Sequence, residues 1–339
     1  MKNLTLFFLL LPAFCFSQRF ELKQLTAGKN TSMRGISVVS DRVAWVSGSN
    51  GQVGKTLNGG ETWEWTTPKG YEKLDFRDIE AFDDQNAVVV NAGTPAYILV
   101  TADGGKSWRE TYKNIDSAIF LDGMGFWNRK EGIIFGDPIN NKMQLLKTID
   151  GGLTWNNISD NLKKKFVMGE AGFAASGTTI RTGNDGKVWI ASGGKVSNIY
   201  YSPNYGKKWK VYHCPIIQGE SSTGPFSIGF SDAKTGIVVG GNYLKDKEHT
   251  NNVLLTTNGG KNWTKPTTPV LGYRSAVEHI KDQLWFATGS SGTDYSSDGG
   301  QNWTNISALN FNAIQKAKNG DLVLLTGNRG QIYQLVLPR

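Results

Sequence analysis

Three arginines stand just ahead of apolar runs at matching points of the sequence: Arg34 in Met-Arg-Gly-Ile, Arg77 in Phe-Arg-Asp-Ile and Arg274 in Tyr-Arg-Ser-Ala. Converging guanidinium groups clamp a carboxylate or phosphate through paired hydrogen bonds, which a lone surface arginine does poorly. Arg181, a little outside the pattern, is a fourth candidate. Each arginine can equally pair with a nearby acid such as Asp78 or Glu80, or stay solvated, so an anion clamp and ordinary surface charge both stand. Six acids, Asp75, Asp78, Asp122, Asp137, Glu170 and Glu220, are candidates for two-carboxylate glycoside hydrolysis; surface acids account for them equally well. His213, His249 and His279 are far apart in sequence and no spacing pairs them as metal ligands, so no metal is expected. Cys214 is expected to be a buried small residue, and neighbouring His213 would point to the opposite face of a strand. No G-x-G-x-x-G or P-loop string occurs, so no nucleotide cofactor is expected.

The elements that would position these residues are set by an octapeptide that recurs six times, from Thr56-Leu-Asn-Gly-Gly-Glu-Thr-Trp63 to Ser296-Ser-Asp-Gly-Gly-Gln-Asn-Trp303. Its Asp or Asn falls at Asn58, Asp103, Asp150, Asn204, Asn258 and Asp298, where the side chain can accept turn N–H groups. The glycine two positions later permits positive φ, and the leading Thr or Ser can bond within the same turn. Its closing tryptophan, Trp63, Trp108, Trp155, Trp209, Trp263 or Trp303, starts an outgoing strand and is expected to bury its ring between neighbouring units. Forty to fifty-odd residues separate successive tryptophans, the repeat length of a propeller blade.

Each unit also carries continuous apolar strands such as Val43–Gly48, Gly132–Gly136, Gly236–Gly240 and Leu284–Gly289, suited to burial on both faces. Four strands per unit follow. A seventh unit shows three, Phe311–Ala317, Asp321–Gly327 and Gln331–Leu337, and Phe20–Thr26 is expected to supply its fourth strand and close the ring. The fold predicted is therefore all-β: a seven-bladed propeller of four-stranded blades spanning residues 18–339 as one domain. Abundant glycine and aromatic residues, with no long 3.6-period apolar stripe, agree with many short strands and tight turns.

Lys2, the apolar stretch Leu4–Phe16 and the small residues around Ser17 read as an export signal cleaved before Gln18, placing the mature chain in the periplasm or outside the cell. A lipid-modified Cys15 is the competing reading. No other stretch is long and apolar enough to span a bilayer, and Cys214 is left without a disulfide partner. The net charge of +8 and the basic runs Lys163–Lys165 and Lys245/Lys247 favour acidic partners. Nucleic acid is not expected, because these charges are scattered among acids in an exported chain. A monomer is expected.

The octapeptides match the Asp-box or BNR repeat of sialidases, sortilin-type receptors and other propellers. The wider unit, Gly229-Phe-Ser-Asp-Ala-Lys-Thr-Gly-Ile-Val-Val-Gly240 leading to Thr256-Thr-Asn-Gly-Gly-Lys-Asn-Trp263, most resembles the photosystem II stability and assembly factor type. That resemblance implies seven blades and a chaperone-like or assembly role through one propeller face; its architecture is carried over, its photosynthetic setting is not. The function expected is thus a non-enzymatic, exported interaction or assembly factor using the face opposite the octapeptide turns. Its partner would be a protein, an acidic ligand or a glycan. The alternative is a sialidase-like glycoside hydrolase, for which Tyr273, Glu278, Asp78 and Glu80 are candidates by position and Phe76-Arg77-Asp78-Ile79 is similar to a sialidase Phe-Arg-Ile-Pro start lacking its proline. A third reading is carbohydrate binding by exposed rings at Trp127, Tyr243 and Tyr273.

Overall fold

The computed structural model describes residues 20–26 and 29–338. The expected export signal and its cleavage site lie outside the described residues. Seven antiparallel sheets are arranged as the blades of a propeller. The first blade runs Met33–Val38, Ala44–Gly48, Val53–Thr56 and Glu64–Thr66; the second, Phe76–Ala81, Ala87–Asn91, Ala96–Thr101 and Arg109–Asn114. The third comprises Leu121–Phe126, Gly132–Ile139, Lys142–Thr148 and Asn156–Asn157, and the sixth Ala276–Lys281, Leu284–Gly289, Gly292–Ser296 and Thr304–Ser307. Successive inner strands touch around the ring, the last returning to the first. The seventh blade combines Ala313–Lys316, Val323–Thr326 and Ile332–Val336 with Glu21–Thr26, which pairs antiparallel with Ile332–Val336 as expected. The ring therefore has no open sheet edge at its seam.

Two blades depart from four strands. The fourth, Ile180–Gly183, Lys187–Gly194, Asn198–Ser202 and Lys210–His213, gains a short strand, Glu170–Ala171, on Gly193–Gly194. The fifth has only Thr223–Phe230, Gly236–Asn242 and Val253–Thr256, its outer strand reduced to one bridge between Leu255 and Thr264. Pro266 and Pro269 follow that bridge and have no N–H to continue a ladder.

The six octapeptides form one turn built six times. The leading hydroxyl accepts the N–H of the second glycine at 2.9–3.0 Å and donates to the Asp or Asn Oδ1. That same oxygen accepts the N–H four residues on, at 2.9–3.0 Å. The second glycine has φ between +75° and +96°, where any side chain is strained. A Cβ there would also crowd the preceding blade at five of the six turns, against Leu25 at Gly60, Trp45 at Gly105, Val88 at Gly152, Ile158 at Gly206 and Ile237 at Gly300, and would touch Ile199 at Gly260. Each turn thus joins its own outer strands and keys its blade onto the one before. The closing tryptophans are less buried than expected: only Trp303 is fully enclosed, and the other five keep one edge exposed. Four of those five, Trp63, Trp155, Trp209 and Trp263, donate the indole N–H to the carbonyl of their own turn glycine. The most deeply buried tryptophans, Trp45, Trp189 and Trp285, all lie on second strands.

Candidate functional site

Antiparallel order places the octapeptide turns at one end of the propeller and the starts of the inner strands at the other. At these starts the ladders slip. Met33 pairs with Gly48 and Gly35 with Ser47, leaving Arg34 as an extra residue. The same slip isolates Arg77 between Phe76 and Asp78, Asp122 between Leu121 and Gly123, and Phe226 between Pro225 and Ser227. Ser275 and Asn312 take this position in the sixth and seventh blades, donating their N–H groups to Thr288 and Thr326, which already face Ala276 and Ala313. Asp137 is extra in the second strand of the third blade. A bulge leaves a residue out of the ladder and re-aims its side chain. All seven of these residues line one cavity of about 460 Å3 on the axis.

The floor of that cavity comes from the connection into the inner strand of the fourth blade. Gly172-Phe173-Ala174-Ala175 lines the upper cavity, while Ser176-Gly177-Thr178 lines a second one of about 420 Å3 toward the octapeptide end. The segment is tied from several blades: Gly172 N–H donates to Asp137 Oδ1 at 2.8 Å, Arg34 Nη1 to Ala175 O at 3.1 Å, Arg77 Nη1 to Ala174 O at 3.4 Å and Ser176 Oγ to Ser275 O at 2.7 Å. At its two glycines there is no room for a side chain. A Cβ on Gly172 would lie 2.3 Å from Asp122 Oδ2, and one on Gly177 2.5 Å from Asp78 Oδ1.

Acids and bases interleave in the upper cavity. Arg77 Nε bonds Asp75 at 2.7 Å. Burial and the neighbouring Arg77 lower the pKa of Arg34 from its ordinary value. Asp122 is 2% exposed and neither carboxyl oxygen has a hydrogen-bond partner among the described residues. Burial, then the adjacent Asp137 carboxylate, raises its pKa well above the usual carboxylate range, with Arg77 and then the nearby Asp137 N–H opposing. Asp137 is raised by burial, countered in part by the Gly172 N–H. Beneath the floor, burial lifts Asp78 to about 7 although Met124 and Ile79 N–H groups bond it. One wall is aromatic: Phe173 stacks on Phe226 with centroids 3.9 Å apart, and Tyr273 meets Phe226 edge-on.

The expected convergence of Arg34, Arg77 and Arg274, with Arg181 as a fourth, is thus corrected to a pair. Arg34 and Arg77 share the upper cavity, but Arg274 is fully buried and bonded to Asp294 at 2.6 and 2.8 Å. Alignment by chain position was off by one residue there: Arg274 falls at the inward place of Met33, and Ser275 at that of Arg34. Arg181 lies at the opposite end, bonded to Glu278 at 2.7 Å on the lower cavity. Tyr273 is buried in the upper cavity and Glu278 sits in the lower one, so they do not form a nucleophile–base pair. Glu80 pairs with Lys318 at the lower end. Glu170 is buried and accepts bonds from Ser192, Asn198 and Tyr200, while Glu220 accepts from Asn242. Trp127 is committed to Tyr205 and the Lys187 carbonyl; Tyr243 is half exposed on the upper cavity. His213 and His249 are exposed, His279 packs on Trp285, and among the described residues no cluster of metal-ligating side chains occurs. Cys214 is buried, its thiol pushed up to about 12 by burial. The bulges, the floor segment and the Phe173–Phe226 wall were not anticipated. Their one sequence signal is the run Gly172–Gly177, small apart from Phe173, inside an unusually long connection.

Fold and site together define a seven-bladed propeller with a built-in axial floor. Within that class, residues 16–118 match the family described as photosynthesis system II assembly factor YCF48, and the chain resembles that BNR propeller family. No curated protein matches the chain significantly. Among solved structures, YCF48 bound to D1 peptide is 17% identical, with a TM-score of 0.68 over 96% of this chain and 99% of that one. YCF48 from Cyanidioschyzon merolae is 18% identical, with a TM-score of 0.64 over 93% and 98%. A streptogramin B lyase structure, 16% identical with a TM-score of 0.67 over 94% and 98%, shares the same fold. At such identities the likeness is one of architecture. No helix among the described residues is long and apolar enough to cross a membrane.

Proposed function

We propose that this chain is an exported, non-enzymatic assembly factor that holds a polypeptide partner on the face opposite the octapeptide turns. One observation carries the reading. Of ten exposed large hydrophobic side chains among the described residues, seven lie in connections of that face: Ile115, Val167, Met168, Tyr243, Leu244, Leu271 and Leu309. The other three, Leu57, Ile149 and Leu153, sit in octapeptide turns. An apolar rim around a polar, partly charged centre is the composition of a protein-binding surface. The basic residues Lys163–Lys165, Lys245 and Lys247 stand in the same connections and would draw an acidic segment toward Arg34 and Arg77. The family match and a YCF48 structure that holds a peptide support this reading.

The test is capture from the exported proteome by purified mature protein. Wild type is expected to retain a discrete partner, and Met168→Asp/Leu244→Asp/Leu271→Asp and Arg34→Ala/Arg77→Ala are each expected to weaken it at least about tenfold. A partner kept by both variants but lost on Ile149→Asp/Leu153→Asp would move the site to the other face and overturn the proposal. Export is tested by the N-terminal mass of protein recovered outside the cytoplasm, expected to begin at Gln18.

A further inference from the structure

The upper cavity holds more acid than its arginines compensate. Its lining carries Arg34 and Arg77 against Asp122 and Asp137, and Asp75, which lies outside the lining, engages Arg77. With every group ionised the set is one positive charge short. The other charged residues packed nearby are committed: Arg274 pairs with Asp294, and Asp246 accepts the Ser290 hydroxyl at the rim. Asp122 shows where the shortage lies. It lines the cavity, is almost wholly buried, and among the described residues neither carboxyl oxygen has a hydrogen-bond partner, the adjacent Asp137 N–H being given to the Phe120 carbonyl at 2.9 Å. An unpaired buried carboxylate is costly, so the site must hold either a proton or a cation.

We propose that the inner wall of this cavity is a subsite for one ammonium or guanidinium group, a lysine or arginine side chain of the bound polypeptide, seated between Asp137 and Asp122. This rests on the polypeptide-binding reading and adds a second, cationic determinant to it. Asp137 is the partly exposed outer carboxylate and Asp122 the buried inner one. Phe173, Phe226 and Tyr273 form an apolar wall for the methylene stem, and an aromatic face is itself attractive to a cation. Neither Arg34 nor Arg77 fills the place, because the Ala174 and Ala175 carbonyls and Asp75 already hold their guanidinium groups. Proton and cation compete for one carboxylate pair, so binding releases a proton.

The experiment uses small probes that need no partner: N-acetyl-lysine amide and methylguanidinium, titrated calorimetrically into the mature protein in two buffers of different ionisation heat. Saturable binding with a Kd of about 1 mM is expected for a ligand of this size. Affinity should rise with pH, by up to about tenfold per unit while the pair still holds its proton. Asp122→Asn and Asp137→Asn should each weaken it at least about tenfold with unchanged melting temperatures or better, whereas Ile149→Asp/Leu153→Asp, on the octapeptide face, should bind the probes no worse than wild type. A carboxyl 13C signal of Asp122 that titrates identically with and without probe, and no saturable heat, would mean a proton is the sole occupant and would overturn the proposal. That result with polypeptide capture intact would leave the docking face standing; probe binding without capture would sink the docking face and keep the subsite.

Discussion

At the scale of single residues, what decides a side chain's role here is whether it stands in the ladder or beside it. Arg34 and Arg274 have similar sequence surroundings, yet the first is bulged out into a cavity and the second is sealed inside a blade. Arg274→Met should therefore cost about 3–5 kcal/mol in chemical denaturation, because Asp294 is left charged and unpaired. The double variant Arg274→Met/Asp294→Asn should recover much of that loss. Asp78 makes a prediction about pH. Its folded pKa of about 7 exceeds the usual 3.8, so the folded protein holds a proton that the unfolded chain releases. Its stabilising contribution is full below pH 3.8 and is lost as pH rises to about 7, a fall of about 4 kcal/mol on the linkage relation. Urea midpoints between pH 4.5 and 8 should decline in wild type and less steeply in Asp78→Asn.

At the scale of elements, the octapeptide is a turn that also keys blade to blade. Thr101 Oγ1 accepts the buried Gly105 N–H at 2.9 Å and donates to Asp103 at 2.9 Å. Thr101→Val should cost about 1–3 kcal/mol by leaving that N–H without a partner. Gly105→Ala should cost more, since φ is +86° and its methyl would lie 3.2 Å from the Trp45 ring of the preceding blade. Thermal melts of the two variants test that order, and the reverse order would mean the turn's own bonds outweigh the keying. The Ser107 hydroxyl and N–H hold Asp103 at about 2, so its contribution is present above pH 3.8 and lost as pH falls toward 2. The repeat also shows what it can do without. The fifth blade keeps its turn and Trp263 but loses the outer strand to Pro266 and Pro269, so a blade's place in the ring depends on its inner strands and turn.

At the scale of the whole molecule, closure and the axial floor matter most. Phe20 packs against Phe286 and Tyr295 of the sixth blade, and Leu25 meets the first turn, so residues 20–26 bind three blades together. Deleting them should lower the melting temperature by several degrees and produce concentration-dependent light scattering, because Ile332–Val336 becomes an open edge. A deletion variant that stays monodisperse with an unchanged melt would mean the seam is held by the remaining contacts. The floor divides the axis into an upper cavity with an aromatic wall and a lower one crossed by ion pairs. Ligands are therefore expected from one end only, the end with the apolar rim.

Blade number, the turns and the closing strand were legible in the sequence because they depend on local rules: a repeat length, residues that tolerate positive φ, and apolar runs of strand length. Asp103 bonds Ser107 four residues away whatever the rest of the chain does. The site was legible only in part. Arg34 and Arg77 were found from their place in the repeat, and Asp122 and Asp137 were noted only as acids. A one-residue bulge moves a side chain from core to cavity without changing the pattern of residue types, and Arg274 was misplaced by that amount. The floor was hidden for a related reason. Gly172–Gly177 is, apart from Phe173, an ordinary run of small residues until the ring closes around it and leaves no room for a side chain at Gly172 or Gly177, so the unpaired Asp122 and the cavity around it exist through tertiary structure alone.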